Sequence, residues 1–331
     1  MNENNTGMKK SLHLKQIVSC FALAGVFLMQ ACSDDEIFDV VGSTENKVYI
    51  HTQSWSPIDA PKNSVVFNVT NTPAGSTIAN ADKIEVKFGV QCTHPASNDV
   101  LVKFEYDNSL TTEGYQSLPS GVALSIDKTE IVIPRGATKS SDSITVSIGS
   151  DALHLFSAGQ YIAPLKISSV TNAKLSDNLS SAFLLVKATF TNCLDQATSV
   201  PGTAAERTGW VARVNGGDQG NKLFDNNRRT YFLGNNFTIE VDLGAVYENI
   251  TGLKLDFYAW YYAMGTANIY TSATSENNYE LQGTPSFPGS TPQYVRFYAP
   301  VSARYIKVEI TSPSYSPDYG TAVTEFSLYQ E

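Results

Sequence analysis

The sequence predicts two all-β domains in tandem, and three observations carry the prediction. Strand-length segments with period-two alternation recur at short intervals from Lys47 to the C-terminus, the signature of half-buried strands. Turn signals separate them, among them Pro73-Ala-Gly75, Pro119-Ser-Gly121 and Pro134-Arg-Gly136, where proline and glycine supply the φ values that turns need. Charged residues make up only 17% of the chain, below the level of about a quarter usual for soluble domains. Leu-rich helical stretches are scarce beyond the N-terminus. With 331 residues, the chain is long enough for two domains of ordinary size.

Residues 1–31 read as an address. Lys9, Lys10 and Lys15 precede an apolar run from Ile17 to Met29, and Gln30, Ala31 and Cys32 follow. A basic start, a short apolar run and a small residue at the cut make a secretory signal. A run of about a dozen residues is too short to span a bilayer. The position of Cys32 resembles the lipobox of bacterial lipoproteins, with Met29 and Gln30 departing from the usual residues. The resemblance implies lipidation at Cys32, where each buried CH₂ contributes about 0.8 kcal/mol to anchoring. Ser33-Asp-Asp-Glu36 opens a tether, 32–45. It resembles the acidic tag that sends some lipoproteins to the outer face of the outer membrane; by composition alone it is a solvated segment. The expected location is the outer membrane, facing the cell exterior. Loss of residues 1–31 removes three lysines and one glutamate and takes the net charge from −9 to −11. Nucleic acid is excluded as a partner, because it demands Lys/Arg stripes that an acidic chain lacks.

The first domain is expected over 46–190. Its strands are read at Lys47–His51, Ser64–Thr70, Lys83–Val90, Leu101–Tyr106, Val122–Ile126, Glu130–Ile133, Ser143–Ile148, Tyr161–Ile167 and Ala182–Ala188. Many short strands with frequent turns predict a β-sandwich. Ile131-Val-Ile-Pro-Arg-Gly136 and Tyr161-Ile-Ala-Pro-Leu165 resemble the family known as domain of unknown function 1735. That resemblance implies an immunoglobulin-like sandwich serving as a spacer or interaction module in surface lipoproteins. His51, His94 and His154 are scattered, and Cys92 and Cys193 form no C-x-x-C pair, so a zinc or redox site is not expected. The two cysteines read as buried thiols, with a disulfide between them as the alternative. Trp55 is read as a packing residue, with an exposed sugar-stacking role as the alternative.

A polar stretch, 191–204, ends in Pro201-Gly202 and is expected as a linker. The second domain, 205–331, opens with Thr208-Gly-Trp-Val-Ala-Arg213. A tight polar loop follows, Leu223-Phe-Asp-Asn-Asn-Arg-Arg-Thr-Tyr-Phe232, and then Phe237-Thr-Ile-Glu-Val-Asp-Leu-Gly244, which alternates cleanly. Further strands are read at Ile250–Phe257 and Asn268–Ser272, as a pair around a turn over Tyr294–Ile310, and at Glu325–Tyr329. In this order, the tryptophan, the Leu-Phe-Asp loop, Ile-Glu-Val-Asp-Leu-Gly, Ala-Arg-Tyr-Ile-Lys-Val and the terminal Glu-Phe-Ser-Leu resemble the factor 5/8 type C, or discoidin, family. They also resemble its relatives, the family 32 carbohydrate-binding modules. The resemblance implies a galactose-binding-like jelly roll, with Trp210 in its core. The overall expectation is an all-β chain: an immunoglobulin-like β-sandwich followed by that jelly roll.

The resemblance also implies one structural calcium ion at the loop, held by Asp225, Asn227, Thr230 and Glu325. Calcium takes about six to eight oxygens near 2.4 Å, and these residue types supply them. Read from the residues alone, the loop is equally an Asx-turn closed by its own backbone. Sugar binding needs aromatic faces to stack on and planar polar groups to bond hydroxyls. The richest aromatic stretch is Phe257-Tyr-Ala-Trp-Tyr-Tyr262. Candidate ligand-binding residues are therefore Tyr258, Trp260, Tyr261, Tyr262, Tyr315 and Tyr319, with Arg228, Arg229 and Asn235 as hydrogen-bonding groups.

Catalysis is not expected. The second domain has no histidine, and no facing carboxylate pair of the kind a glycosidase needs is legible. No nucleophile elbow, zinc-protease or phosphate-loop motif is present after Cys32. The expected function is a surface lipoprotein that binds an oligo- or polysaccharide through its second domain, within a polysaccharide-utilisation system, beside outer-membrane transport proteins. The alternative is a structural or adhesion lipoprotein with a protein partner.

Overall fold

The computed structural model describes residues 45–52 and 60–331. The signal segment, Cys32, the acidic run and Trp55 lie outside the described residues. What is described is nearly all β, in two units with separate apolar cores.

The first unit is a two-layer sandwich. One sheet runs in the order Lys174–Leu175, Lys47–His51, Ile84–Cys92, Ile144–Ile148, Leu124–Ile126. The other runs Gly75–Ile78, Ser64–Thr72, Ser181–Phe190, Gly159–Val170, Val100–Tyr106, Glu130–Ile133, with Gln116–Ser117 on the side of Gly159–Val170. Alternation decides which residues face inward. Ile144, Val146 and Ile148 are buried while Thr145 and Ser147 are half-buried. Val48, Ile84, Phe88, Val102, Ile133 and Leu184 meet between the layers in one cluster.

The second unit is organised by two long strands, Phe237–Phe257 and Gln293–Pro313, which pair antiparallel along most of their length. Where the sequence suggests two strands in each, the structure has one. Their register shifts between Asp242 and Tyr247, between Tyr247 and Ile250, and between Ile250 and Gly252. Such bulges bend a strand without ending it, so one strand serves both layers of the jelly roll. Trp210 is buried as expected, edge-to-face with Phe224, Tyr247 and Phe326 at centroid distances of 5.8, 5.9 and 6.2 Å. Its indole N–H donates to the Tyr247 hydroxyl at 3.2 Å.

The segment expected as a linker is largely built into the second unit. Cys193–Leu194 pairs with Phe297 and Arg296, and Thr203–Ala204 pairs with Gln330 and Tyr329. The Cys193 side chain is small and apolar, and the second core buries it. Asn192 ties the join. Its backbone N–H donates to the Gln282 carbonyl at 2.6 Å, and its amide reaches Gln282 Oε1 and the Ala299 carbonyl at 3.1 and 2.9 Å. On the other side, the Thr191 N–H donates to the Asn71 carbonyl at 2.9 Å. Polar composition misled here because the polar side chains serve hydrogen bonds along a fixed path. Cys92 and Cys193 are both free and buried, and burial pushes the Cys193 thiol up to about 12.

One ion pair braces the two long strands. Arg304 Nε and Nη2 donate to Asp242 Oδ1 and Oδ2 at 2.8 and 3.0 Å. These bonds, with the Gly244 N–H, hold the Asp242 carboxyl below its ordinary value. A depressed folded value means that the stabilisation is present above the ordinary carboxylate range and is lost as pH falls toward the folded value. The pair is half-exposed, so Asp242→Asn is expected to cost about 0.5–1 kcal/mol at neutral pH. In urea titrations at stepped pH, the gap between variant and parent should close in acid. A gap that stays constant with pH would show that the charge is not responsible.

Candidate functional site

Strand register gathers three loops at one end of the second unit. Phe257 pairs with Val323 and Asp256 with Glu325, so the end of one long strand lies beside the start of Thr321–Gln330. Phe232–Gly234 pairs with Val323, Ala322 and Thr321. The loops 225–231, 258–262 and 314–320 therefore meet.

These loops carry a continuous run of aromatic rings. Tyr231 contacts Tyr258 at a centroid distance of 5.3 Å, and Tyr258 contacts Tyr262 at 5.8 Å. Tyr262 contacts Tyr261 at 4.7 Å, and Tyr261 contacts Trp260 at 5.5 Å. Trp260 then contacts Tyr315 at 5.4 Å, while Tyr319 touches Tyr261, Tyr262 and Tyr315. All six aromatic candidates from the sequence fall in this network. The seventh ring, Tyr231, was missed, although it directly follows the polar loop. Trp260 is 52% exposed and Tyr315 59%, with Tyr231, Tyr258 and Tyr319 also exposed. Edge-to-face packing at most of these contacts explains how they stay ordered at the surface, because a positive ring edge meets a neighbour's negative face; the Tyr231–Tyr258 and Tyr261–Tyr262 pairs are tilted instead. Desolvation by these neighbours raises the Tyr262 phenol above its ordinary value.

Of the polar candidates, Arg228 stands nearest the strand that leads to Tyr258. Its Nη2 lies 3.2 Å from Asp256 Oδ1, and Lys254 Nζ lies 2.8 Å from Asp256 Oδ2. The Arg229 side chain is exposed and makes no hydrogen bond or ion pair among the described residues. Asn235 packs its amide oxygen against Gly320, beneath the loop that carries Tyr315 and Tyr319.

The four residues expected around calcium also come together, behind Tyr231. Asp225 Oδ1 and Glu325 Oε1 both accept from the Asn227 N–H, at 2.8 and 2.9 Å. The Thr230 hydroxyl lies 2.7 Å from Asp225 Oδ2 and 2.7 Å from the Asn227 carbonyl. The Asn227 side chain turns the other way and accepts from the Arg229 N–H at 3.1 Å. Glu325 Oε2 accepts from Arg207 Nη1 at 2.6 Å. The hydrogen bond from Thr230 holds the Asp225 carboxyl below its ordinary value, whereas burial raises that of Glu325 against the pull of Arg207. Among the described residues, no group of three or more His, Cys, Asp or Glu side chains stands ready to hold a metal ion.

A family model described as an F5/8 type C domain matches residues 203–325. The second unit is an F5/8 type C domain. A separate family model, for an N-terminal domain, matches residues 44–174 and so covers most of the first unit. No curated protein matches the chain. Among solved structures, a two-domain protein of unknown function from Bacteroides fragilis is similar at 16% identity, over 86% of this chain and 95% of that one, with a TM-score of 0.52. This likeness extends to the fold alone. The family 32 carbohydrate-binding module of Clostridium perfringens NanJ, solved with galactose, is 15% identical over 39% of this chain and 98% of its own, with a TM-score of 0.33. Another Clostridium perfringens module, solved with GalNAc-β-1,3-galactose, is 15% identical over 38% of this chain and 99% of its own, with a TM-score of 0.33.

Within the F5/8 type C domain, the third loop depends on one glycine. Gly320 has φ +71, and a Cβ there would lie 2.9 Å from Asn235 Oδ1 and 3.0 Å from the Gly234 carbonyl oxygen. Other residues reach such a φ only at a cost. Gly320→Ala is expected to destabilise the domain by about 1–2 kcal/mol, read as a lower urea midpoint. An unchanged midpoint would mean that the loop accommodates a side chain without strain.

Proposed function

We propose that this protein is a non-catalytic surface lipoprotein that binds an oligo- or polysaccharide through the aromatic end of its F5/8 type C domain. The observation that carries the reading is the seven-ring network, exposed at both ends and made of residues whose faces suit the apolar side of a pyranose. One end is Tyr231 with Tyr258, and the other is Trp260 with Tyr315. Tyr261, Tyr262 and Tyr319 join them. Two separated stacking positions suit successive sugars of a chain better than a single terminal sugar. Arg228, Arg229 and Asn235 supply planar donors at the margin. The first domain is a spacer that carries the site away from the membrane, with Cys32 as the anchor, the outer face of the outer membrane as the location, and transport proteins of a glycan-utilisation system as neighbours. Contacts by one small module are weak, and many copies on one surface compensate through avidity.

An exposed cluster of tyrosine and tryptophan also has the composition of a protein-binding hot spot, so a protein partner is the second reading. Affinity gels against a panel of purified polysaccharides separate the two. Retardation by at least one polysaccharide is expected, and Trp260→Ala or Tyr258→Ala should each weaken it roughly tenfold, about 1.4 kcal/mol. Both side chains are half-exposed, so circular dichroism should be unchanged. If no polysaccharide retards the protein, or both variants bind as the parent does, the glycan reading fails.

A further inference from the structure

We infer that Arg207 is the cation of the 225–230 loop, holding it closed from within the chain in place of a metal ion. The loop presents a strong demand for positive charge. Two carboxylates, Asp225 and Glu325, converge on the single Asn227 N–H. Glu325 sits in the middle of the strand Thr321–Gln330, and its side chain is only 7% exposed. A carboxylate removed from water must be neutralised by an opposite charge or by a proton.

Arg207 meets that demand. Its guanidinium lies on the core side of the loop, with Nη1 at 2.6 Å from Glu325 Oε2 and 3.5 Å from the Leu223 carbonyl. Nη2 reaches Ser327 Oγ, two residues along the same strand, at 3.4 Å. The side chain is 26% exposed, so it is partly withdrawn from water. Its backbone is fixed as well, because the Trp210 N–H donates to the Arg207 carbonyl at 3.3 Å. An arginine stays charged at any ordinary pH and offers several donors in a rigid plane.

The residues present do not fit calcium in addition. Calcium needs about six to eight oxygens around one point, free of competing cations. Here Glu325 Oε1 is taken by the Asn227 N–H and Oε2 by Arg207. Asp225 is taken by the Asn227 N–H and by the Thr230 hydroxyl. A divalent ion bound to Glu325 Oε2 would stand beside a guanidinium, and like charges at that distance repel strongly. The loop is complete without it.

The test uses chelator-treated protein, with calcium chloride as the probe. In thermal melts, millimolar calcium is expected to move the Tm by less than about 1 °C, and isothermal titration should show no binding heat. Arg207→Met is expected to lower the Tm by roughly 5–10 °C, because it leaves a buried carboxylate unpaired. Arg207→Lys, which keeps the charge but loses the plane, should fall between. A parent that binds calcium, or whose Tm rises by several degrees with it, overturns the proposal, and so does an Arg207→Met protein as stable as the parent. If Arg207→Met does not fold, the parent's calcium response and the Arg207→Lys melt still decide. Glycan binding plays no part in these readouts.

Discussion

Glu325 is a charge in a place where charge is expensive. The strand that carries it pairs on one side with the long strand Phe237–Phe257 and on the other with short strands at its two ends. Its neighbours Val323, Phe326 and Leu328 are in the core. Such a position is stable only if the carboxylate finds partners with good geometry. It finds them in Arg207, which enters from the start of the domain, and in the Asn227 N–H, which enters from the polar loop. The first turn of the domain, the polar loop and the last strand are thereby joined at one buried point. The same join sets where the chain emerges after Thr230, and hence where Tyr231 stands.

Bending of the long strands does the rest. A strand that continues through bulges can pack in both layers, so Phe237–Phe257 passes from its pairing with Val211–Val214 to its pairing with the last strand. Its far end delivers Tyr258 and the short helical turn Trp260–Tyr262 to the same rim as Tyr315 and Tyr319. The rings are thus held by backbone register and by each other. Their exposure on a rigid frame favours binding, since little side-chain freedom remains to be lost when a ligand arrives.

The polar loop and the aromatic run have separable tasks. The loop is closed by hydrogen bonds among Asp225, Asn227 and Thr230 and by the shared contact to Glu325. The oxygens of that group are engaged with one another's donors, whereas the rings of Tyr258, Trp260 and Tyr315 are each at least half-exposed. The loop is closed on itself, and the aromatic surface beside it is open to solvent.

Much of this was legible in the residues. Alternation marked the long strands, because side chains on a strand face opposite sides and water selects which are polar; short ones such as Gly75–Ile78, Phe232–Gly234 and Glu280–Gly283 carry too few residues to show it. Six of the seven rings were legible because so many large aromatics in two short stretches exceed what a small core needs; Tyr231 stood apart from both stretches in the sequence and joined them only through the fold. Composition failed where polar residues pack: 191–204 is polar in sequence yet ordered, through Asn192 and the burial of Cys193. Periodicity failed at Gly244 and at Pro300, where breaks in alternation mark bends within one strand. By itself, the sequence determined the two all-β units, the residues that face inward and the aromatic surplus, since these follow from local pattern. Only the tertiary structure decided which rings touch and which cation meets Glu325. Arg207 and Glu325 lie 118 residues apart, and nothing but the register between distant strands brings a guanidinium to a buried carboxylate.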